Sequence, residues 1–315
     1  MKCRVAVAVI LAGLISAFAL AQPKIKIAVI PKGTTHIFWK SVEAGARQAG
    51  KELGVEIIWK GPLKENDRAQ QIAIVEQFVT EGIAGIVLAP LDNTALQRPV
   101  AAAMQKKIPV VIFDSGLKGE AGKDYVSFVA TDNKRGGNLG GDHLAKLLGG
   151  KGNLVLLRYQ VGSASTMERE EGFLEAIRKV NGLRITVDNR YSGATAGEAK
   201  TASMNIVDKL KEANGVFCPN ESSTFGMLLA LRQMNLAGKI RFVGFDTSPP
   251  LIEALQNGEL DALVAQDPTL MGYQGVKTLV AKLQGKDVPK TIDTGVRLIT
   301  RENLNTPEIK KLLGN

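Results

Sequence analysis

"IPVVIFDS" (residues 108–115) is an apolar run that ends on a carboxylate, Asp114, where the chain turns. A second run, "IRFVGFDTS" (residues 240–248), ends in the same way on Asp246. Both runs are apolar throughout instead of alternating with polar residues, which is typical of strands buried on both faces of a parallel sheet. The two runs therefore predict helix-covered sheets in which one strand of each half of the chain ends on an aspartate.

The order strand, helix, strand repeats around these two runs. The strand "KIKIAVIPK" (residues 24–32) precedes a stretch with helical spacing of its apolar residues at 37–53, and the cycle restarts after residue 150. "GIVLAP" from Gly85 resembles "GVFCPN" from Gly215, and each lies about thirty residues before the Phe-Asp strand of its half. We predict an α/β fold with two similar lobes, each a doubly wound parallel sheet.

The amino terminus has the features of an export signal. Lys2 and Arg4 flank the start of an apolar run at residues 5–20, and Ala-Leu-Ala at 19–21 supplies the small residues of a cleavage site. A retained membrane anchor is the alternative, but this run of 16 residues is shorter than the ~20 that a spanning helix needs. We expect a signal peptide at residues 1–21 and a periplasmic protein.

Composition excludes several classes of partner. The 40 Lys and Arg residues outnumber the 31 Asp and Glu residues, for a net charge of +9. The basic residues are dispersed singly and are not interleaved with aromatic residues, so we expect no nucleic-acid partner. Cys218 is the one cysteine after the signal peptide and lies in an apolar stretch, which predicts a buried thiol and no internal disulfide. Two histidines without a ligand spacing predict neither a metal nor a cofactor.

The strand-ending aspartates are the first candidates for a ligand site. Ligands of open α/β sheets bind beyond the carboxyl ends of the strands. We interpret Asp114 and Asp246 as carboxylates that accept hydrogen bonds from the hydroxyl or amine groups of a ligand. The alternative is that each aspartate caps the following helix.

Further candidates lie at the starts of two predicted helices. Phe38 and Trp39 could stack on the apolar C–H face of a sugar ring, and His36 precedes them, although aromatic residues at a helix start are also common in a core. Arg169 lies in "MEREEGF" near the head of a helix, where the helix dipole disfavours a cation. That placement favours a role facing a ligand.

Catalytic motifs are scarce. The chain has no Gly-x-Ser-x-Gly sequence. A glycosidase would need Asp114 and Asp246 roughly 5 to 9.5 Å apart, and no pattern in the sequence requires that separation. The glycine-rich stretch at 133–144 lacks the order of a phosphate-binding loop, so close helix packing is the better interpretation. We expect a binding protein with no catalytic residues.

Seven stretches occur in an order that is typical of one family. They are "FWKSVEAGARQAGKELG" (38–54), "IPVVIFDS" (108–115), "TDNKRGGNLGGDHLA" (131–145), "MEREEGF" (167–173), "VFCPNESSTFGMLLAL" (216–231), "FVGFDTSP" (242–249) and "LVAQDP" (263–268). Together they resemble the periplasmic sugar-binding proteins of the ribose-binding type. These are exported receptors of ABC importers, and they share their fold with LacI-type repressors. An export signal stands where such a repressor has its DNA-binding segment.

The resemblance implies a type I periplasmic binding protein whose lobes close over a sugar about a three-segment hinge. It places one lobe at residues 22–131 and 267–295, and the other at 132–266 and 296–315. Carried over by position, the ligand-binding residues would be His36, Phe38, Trp39, Ala89, Asp114, Ser115, Arg169, Asn220, Asp246 and Gln266.

Some of these positions depart from the ribose receptors. Those proteins carry asparagine in place of His36 and of Ala89, and arginine in place of Ser115. The phenylalanine expected between the lobes has no clear counterpart near Ala194. Because unmatched buried polar groups are costly, these differences argue against ribose itself.

We therefore expect the solute-binding component of an ABC importer, a monomer that binds a monosaccharide or related polyol and meets the permease membrane subunits. Two alternatives remain open. One is a receptor that presents its ligand to a membrane chemosensor or sensor kinase, which would contact the same outer surface. The other is an exported glycosidase, for which the sequence offers less support.

Overall fold

The structure is a computed structural model that describes residues 24–314. The predicted signal peptide at residues 1–21 lies outside the described residues. Within the described range, no helix is both long and apolar enough to cross a membrane.

Strands and helices alternate along the described chain. The strands are β1 (Lys26–Ile30), β2 (Glu56–Trp59), β3 (Gly85–Leu88), β4 (Val110–Phe113), β5 (Ser127–Ala130), β6 (Gly152–Arg158), β7 (Leu183–Tyr191), β8 (Gly215–Phe217), β9 (Arg241–Phe245), β10 (Ala262–Ala265), β11 (Thr291–Asp293) and β12 (Arg297–Thr300). The helices are α1 (Ile37–Leu53), α2 (Arg68–Glu81), α3 (Gln97–Gln105), α4 (Asn133–Leu147), α5 (Ala164–Arg178), α6 (Ala196–Met204), α7 (Val207–Glu212), α8 (Glu221–Gln233), α9 (Pro249–Gln256), α10 (Pro268–Leu283) and α11 (Pro307–Leu312).

The strands form two six-stranded sheets with the same winding. Their orders are β11-β5-β4-β3-β1-β2 and β12-β10-β9-β8-β6-β7. All pairings within the sheets are parallel except that of β12 with β10. The predicted α/β fold of two similar, mainly parallel lobes is confirmed.

Three connections join the two sheets. The chain leaves the first sheet after β5, returns to it after β10, and passes from β11 to β12 near the carboxyl terminus. These connections cover residues 131–132, 266–267 and 294–296. Helix α10 packs on α1 and the first sheet, whereas α4 packs on α5 and the second. Each lobe is therefore assembled from separate parts of the chain.

Alternate residues of one strand enter different cores. In β4, Val111 and Phe113 belong to one apolar cluster of the first lobe, whereas Val110 and Ile112 belong to the cluster on the opposite face. In the second lobe, Phe242 of β9 packs on one face of the sheet. Burial on both faces is the physical reason that these strands are apolar throughout.

Helices α4 and α5 approach closely through glycine. A Cβ atom at Gly137 would lie 1.9 Å from the carbonyl oxygen of Arg169, and one at Gly172 would lie 2.0 Å from that of Lys134. The close helix packing predicted for this glycine-rich stretch is confirmed. The contact also determines the spacing between α4 and α5, the helix that carries Arg169.

We expect Gly137→Ala to destabilise the protein by about 1–3 kcal/mol, because the new methyl group collides with backbone and must displace α5. Urea denaturation would measure the change in free energy of unfolding. Gly197→Ala in α6 is the matched control, since no atom lies within 4 Å of its Cβ position. That variant should be neutral or more stable by up to ~1 kcal/mol, and equal losses in both variants would contradict the packing argument.

Candidate functional site

The carboxyl ends of strands from both sheets face one polar cavity, which contains about 300 Å³ of space when the solvent at its open side is included. This is the position at which parallel α/β sheets bind ligands. Both lobes contribute to its wall, and seven of its thirteen lining residues are ionisable. The lining residues are Lys32, His36, Phe38, Trp39, Glu65, Asp114, Ser165, Thr166, Arg169, Asn220, Glu221, Asp246 and Gln266.

The two strand-ending aspartates have matching backbones. Asp114 follows β4 with a φ of 59° and Asp246 follows β9 with a φ of 71°. Few residues other than glycine tolerate this left-handed conformation, and aspartate is among those that do. The N-cap of α9 is Ser248, so Asp246 does not cap the helix that follows it. The turn instead directs each carboxylate into the space between the lobes.

Lys32 supplies the positive charge beside Asp114. Its Nζ lies 3.1 Å from Oδ2 of Asp114 and 2.9 Å from Oγ of Ser165 in the other lobe. Ser115 stands where ribose receptors have an arginine, and it is fully buried. The cation therefore comes from the end of β1. Among the described residues, Oδ2 of Asp114 is buried without a well-directed hydrogen-bond donor, which leaves it free to accept one.

A hydrogen-bonded chain joins Arg169 to Asp246. Arg169 Nη2 donates to Gln266 Oε1 at 2.7 Å, and Gln266 Nε2 donates to Asp246 Oδ1 at 2.6 Å. The guanidinium also stacks on Phe245, 4.2 Å from the ring centroid. Burial raises the pKa of Asp246, opposed by Arg169 and by the donors of Gln266 and Glu221. These contacts hold the guanidinium and the carboxylate in fixed orientations at the cavity.

Glu65 is the acceptor at the centre of a second network. Its Oε1 lies 2.7 Å from His36 Nδ1 and accepts from Trp39 Nε1 at 2.8 Å. Its Oε2 accepts from the hydroxyl of Tyr159, in the other lobe, at 2.9 Å. The second nitrogen of His36, Nε2, lies 3.0 Å from the carbonyl oxygen of Ala194. Both ring nitrogens face acceptors, so the imidazole is a cation that donates at each end.

The pKa values of this pair move apart. Burial favours the neutral imidazole, but the attraction and hydrogen bond of Glu65, with smaller effects of Glu221 and Ala194, outweigh it and raise the pKa of His36 to about 9. Burial likewise opposes ionisation of Glu65, but His36, Lys32 and the Trp39 donor lower the pKa of that carboxyl to about 2. Both groups are therefore charged at neutral pH.

Glu221 joins the lobes at the first turn of α1. Its carboxylate accepts from the backbone N–H groups of Phe38 at 2.9 Å and of Ile37 at 3.3 Å. A carboxylate at a helix amino terminus is favoured by the free N–H groups and by the helix dipole. Burial is the main cause of the raised pKa of Glu221, and these hydrogen bonds oppose it.

The aromatic part of the wall comes from α1. Phe38 packs edge-on against Trp39 with ring centroids 5.0 Å apart, and Trp39 packs in the same manner on Phe113. In the other lobe, Ala194 stands where a phenylalanine was expected, and it is buried. The two aromatic rings of the described lining, Phe38 and Trp39, therefore both come from the first lobe.

The structure brings most of the predicted site residues together. Eight of the ten positions carried over from the family line the cavity. Ala89 is buried outside the lining, and Ser115 lies behind it, where its Oγ accepts from the backbone N–H of Ser165. Five further residues of the lining were not assigned to the site from the sequence: Lys32, Glu65, Ser165, Thr166 and Glu221. The one hint in the sequence is Gly33, which is glycine because the loop of Glu65 passes close to it. A Cβ at Gly33 would lie 2.9 Å from Cγ of Glu65. Among residues 24–314, no group of three acidic, histidine or cysteine side chains could hold a metal.

Comparison with known families agrees with this geometry. Residues 27–287 match the model of the periplasmic binding protein domain family. The chain belongs to this family. The chain is also similar to the ribose import binding protein RbsB of Haemophilus influenzae, which is 30% identical over 299 residues covering 93% of this chain and 97% of that protein.

Two solved members of the periplasmic binding protein family are also similar. A carbohydrate transporter solute-binding protein from Agrobacterium radiobacter, in complex with D-arabinose, is 34% identical with a TM-score of 0.87 and covers 93% of this chain and 99% of its own. An ABC transporter solute-binding protein from Agrobacterium vitis, with bound D-fucose, is 36% identical with a TM-score of 0.87, covering 90% and 98%. The ribose-type resemblance is thus confirmed at the level of the family.

The opposed environments of the two histidines give a spectroscopic prediction. Burial, the largest influence on His143, lowers its pKa below 6.5, whereas His36 should titrate near 9. An NMR titration of the imidazole signals should show two well-separated midpoints, and His36→Gln should remove the higher one. Two midpoints near 6.5 would contradict the ion pair with Glu65.

The same shifts predict how stability depends on pH. The folded-state pKa of His36 is raised above 6.5, so its contribution is complete below about pH 6.5 and is lost as the pH rises toward 9. The pKa of Glu65 is lowered from 4.5, so its contribution is complete above pH 4.5 and is lost as the pH falls toward 2. In urea denaturation, Glu65→Gln should flatten the decline above pH 6.5, whereas the exposed-carboxylate control Glu52→Gln should retain it.

Proposed function

We propose that this protein is the periplasmic solute-binding component of an ABC importer and binds a monosaccharide or related polyol in the cavity between its lobes. The observation that carries the proposal is the pairing of charges in the cavity wall. Lys32 neutralises Asp114, His36 neutralises Glu65, and Arg169 acts on Asp246 through Gln266. The seventh ionisable residue of the wall, Glu221, has no cation of its own, and its carboxylate instead accepts from the backbone N–H groups of Ile37 and Phe38. Such a wall favours a neutral ligand with many hydroxyl groups over an ion, which would need an excess of one charge.

Each part of the wall has a role suited to a sugar. Asp114 Oδ2 faces the charge of Lys32 at 3.1 Å but receives no well-directed hydrogen bond from the described residues, so it can accept one from a ligand hydroxyl. Asp246, Arg169, Asn220 and Gln266 provide charged and amide groups from the opposite lobe. Phe38 and Trp39 offer an aromatic wall for an apolar C–H face of the ring. Because these groups come from both lobes, a ligand that contacts all of them would favour lobe closure.

The ligand is proposed to differ from ribose. Lys32 replaces an arginine at position 115 as the cation beside Asp114, and both nitrogens of His36 are engaged by Glu65 and Ala194. Ala89, an asparagine in ribose receptors, is buried beneath the cavity wall. A different set of donors should satisfy a different set of hydroxyls. The D-arabinose and D-fucose bound by the two Agrobacterium proteins make these sugars the first candidates.

Transport is the proposed context. The relatives are named as import or transporter binding proteins, which supports delivery of the ligand to permease membrane subunits. The proposal further takes the protein to be a monomer in the periplasm. Cleavage of residues 1–21 would release the chain there.

The site is tested with Asp246→Asn and a sugar panel that includes D-arabinose, D-fucose and D-ribose, measured by isothermal titration calorimetry. Removing the charge from a buried carboxylate that receives hydrogen bonds should weaken the best ligand by roughly tenfold or more. Asp261→Asn is the matched control. Asp261 accepts from the backbone N–H of Phe242 at 2.8 Å at the opposite end of the same sheet, so this variant should keep wild-type affinity whatever its stability.

Wild-type affinity in Asp246→Asn would contradict the site. Binding of no sugar in the panel by a folded wild-type protein would contradict the ligand class. Mass spectrometry after prolonged incubation with a nitrophenyl glycoside of the best sugar separates transport binding from the glycosidase alternative, because only a glycosidase would release nitrophenol and the free sugar.

A further inference from the structure

The two lobes meet at a network that extends beyond the cavity wall. From the second lobe, the Tyr159 hydroxyl donates to Glu65 Oε2 at 2.9 Å, and Gln160 Nε2 donates to the Glu65 carbonyl oxygen at 2.9 Å. From the first lobe, His36 Nε2 reaches the carbonyl oxygen of Ala194 at 3.0 Å. Three hydrogen bonds therefore cross between the lobes within one cluster.

This cluster is shielded from water. Tyr159 is fully buried, and Glu65 retains only 5% exposure. Burial and the charge of Glu65 raise the pKa of Tyr159 well above its ordinary value, so the phenol keeps its proton and remains a donor. A hydrogen bond to a charged acceptor in such surroundings is stronger than an exposed neutral one.

The backbone is shaped to bring Glu65 to this position. Glu65 lies in the loop between β2 and α2, and that loop passes directly over Gly33. A Cβ at Gly33 would lie 2.9 Å from Glu65 Cγ and 3.2 Å from its backbone nitrogen. The close approach requires glycine, or a small displacement of the loop.

The distribution of charge makes the contact reversible. The two charged members, His36 and Glu65, both belong to the first lobe and are paired with each other. The second lobe contributes a phenol, an amide and a carbonyl, all of them neutral. Separation of the lobes would therefore hydrate neutral groups and leave the ion pair intact. It avoids the large penalty of leaving a buried charge without its partner.

We propose that His36, Glu65 and Tyr159 form an interlobe latch that stabilises the closed form and thereby sets ligand affinity through the population of that form. The inference rests on the proposed function, since it assumes a ligand that binds the closed lobes. The apparent dissociation constant equals the intrinsic constant divided by the fraction of molecules in the binding-competent form. A contact that favours closure thus increases affinity without touching the ligand.

Tyr159 separates this effect from direct binding. His36 and Glu65 line the cavity, whereas Tyr159 stands outside its lining. The variant Tyr159→Phe removes one interlobe hydrogen bond, to Glu65, and replaces no residue of the cavity wall. Tyr273→Phe is the matched control, because the Tyr273 hydroxyl also donates to a glutamate, Glu52 Oε2, at 2.7 Å but within the first lobe.

The test measures lobe separation by double electron–electron resonance between spin labels at Leu63 and Tyr191, two exposed residues of opposite lobes. Without sugar, the wild-type protein and Tyr273→Phe should show a measurable closed population. In Tyr159→Phe the closed-to-open ratio should fall roughly tenfold. Affinity for D-arabinose or D-fucose should fall by a similar factor, and saturating sugar should restore the closed distance.

Three outcomes would overturn the latch. The first is a wild-type protein that is entirely open without sugar. The second is a closed-to-open ratio in Tyr159→Phe equal to that of the wild type. The third is a loss of affinity in Tyr159→Phe with no change in that ratio. Circular dichroism and melting of each variant verify that the fold is retained. If no sugar binds the wild-type protein, the proposed function fails, but the distances measured without sugar still decide whether the latch exists.

Discussion

A carboxylate that is buried away from water needs a cation or several hydrogen-bond donors, and this requirement organises the space between the two sheets. Asp114 is balanced by Lys32 from the end of β1, and Glu65 by His36 at the start of α1. Asp246 receives donors from Gln266 and from the backbone of α8. Each pairing brings a different segment of the chain to the cavity. The neutralisation of the buried carboxylates therefore depends on the correct assembly of both lobes.

The same pairings explain the polarity of the contact between the lobes. Glu221 from the second lobe meets the amino terminus of α1, where it receives two N–H groups and a favourable dipole. Lys32 from the first lobe reaches Ser165 at the start of α5. Charged groups thus cross the cavity mainly toward neutral donors or acceptors, which costs less desolvation on closing than a set of interlobe ion pairs would.

Much of the fold could be read from the sequence because it depends on periodicity. The apolar runs that end on Asp114 and Asp246 predict doubly buried strands, and the shared turn after each run corresponds to a left-handed backbone at both aspartates. Several ligand positions were predicted because ligands bind beyond the carboxyl ends of parallel strands, and others were predicted from the family resemblance. The consequence of Ser115 could not be predicted in this way. The positive charge that an arginine at position 115 would supply comes instead from Lys32, which follows β1.

Glu65 could not have been found in this way. It lies in a loop without hydrophobic periodicity, and its importance comes from three donors that belong to α1 and to the end of β6. The sequence by itself determined the strands, their burial and the sheet edge at which polar groups collect, because those depend on the spacing of apolar side chains. Only the tertiary structure decided which charges pair and which lobe supplies each donor, because hydrogen bonds and ion pairs act over a few ångströms between segments that are distant in the chain.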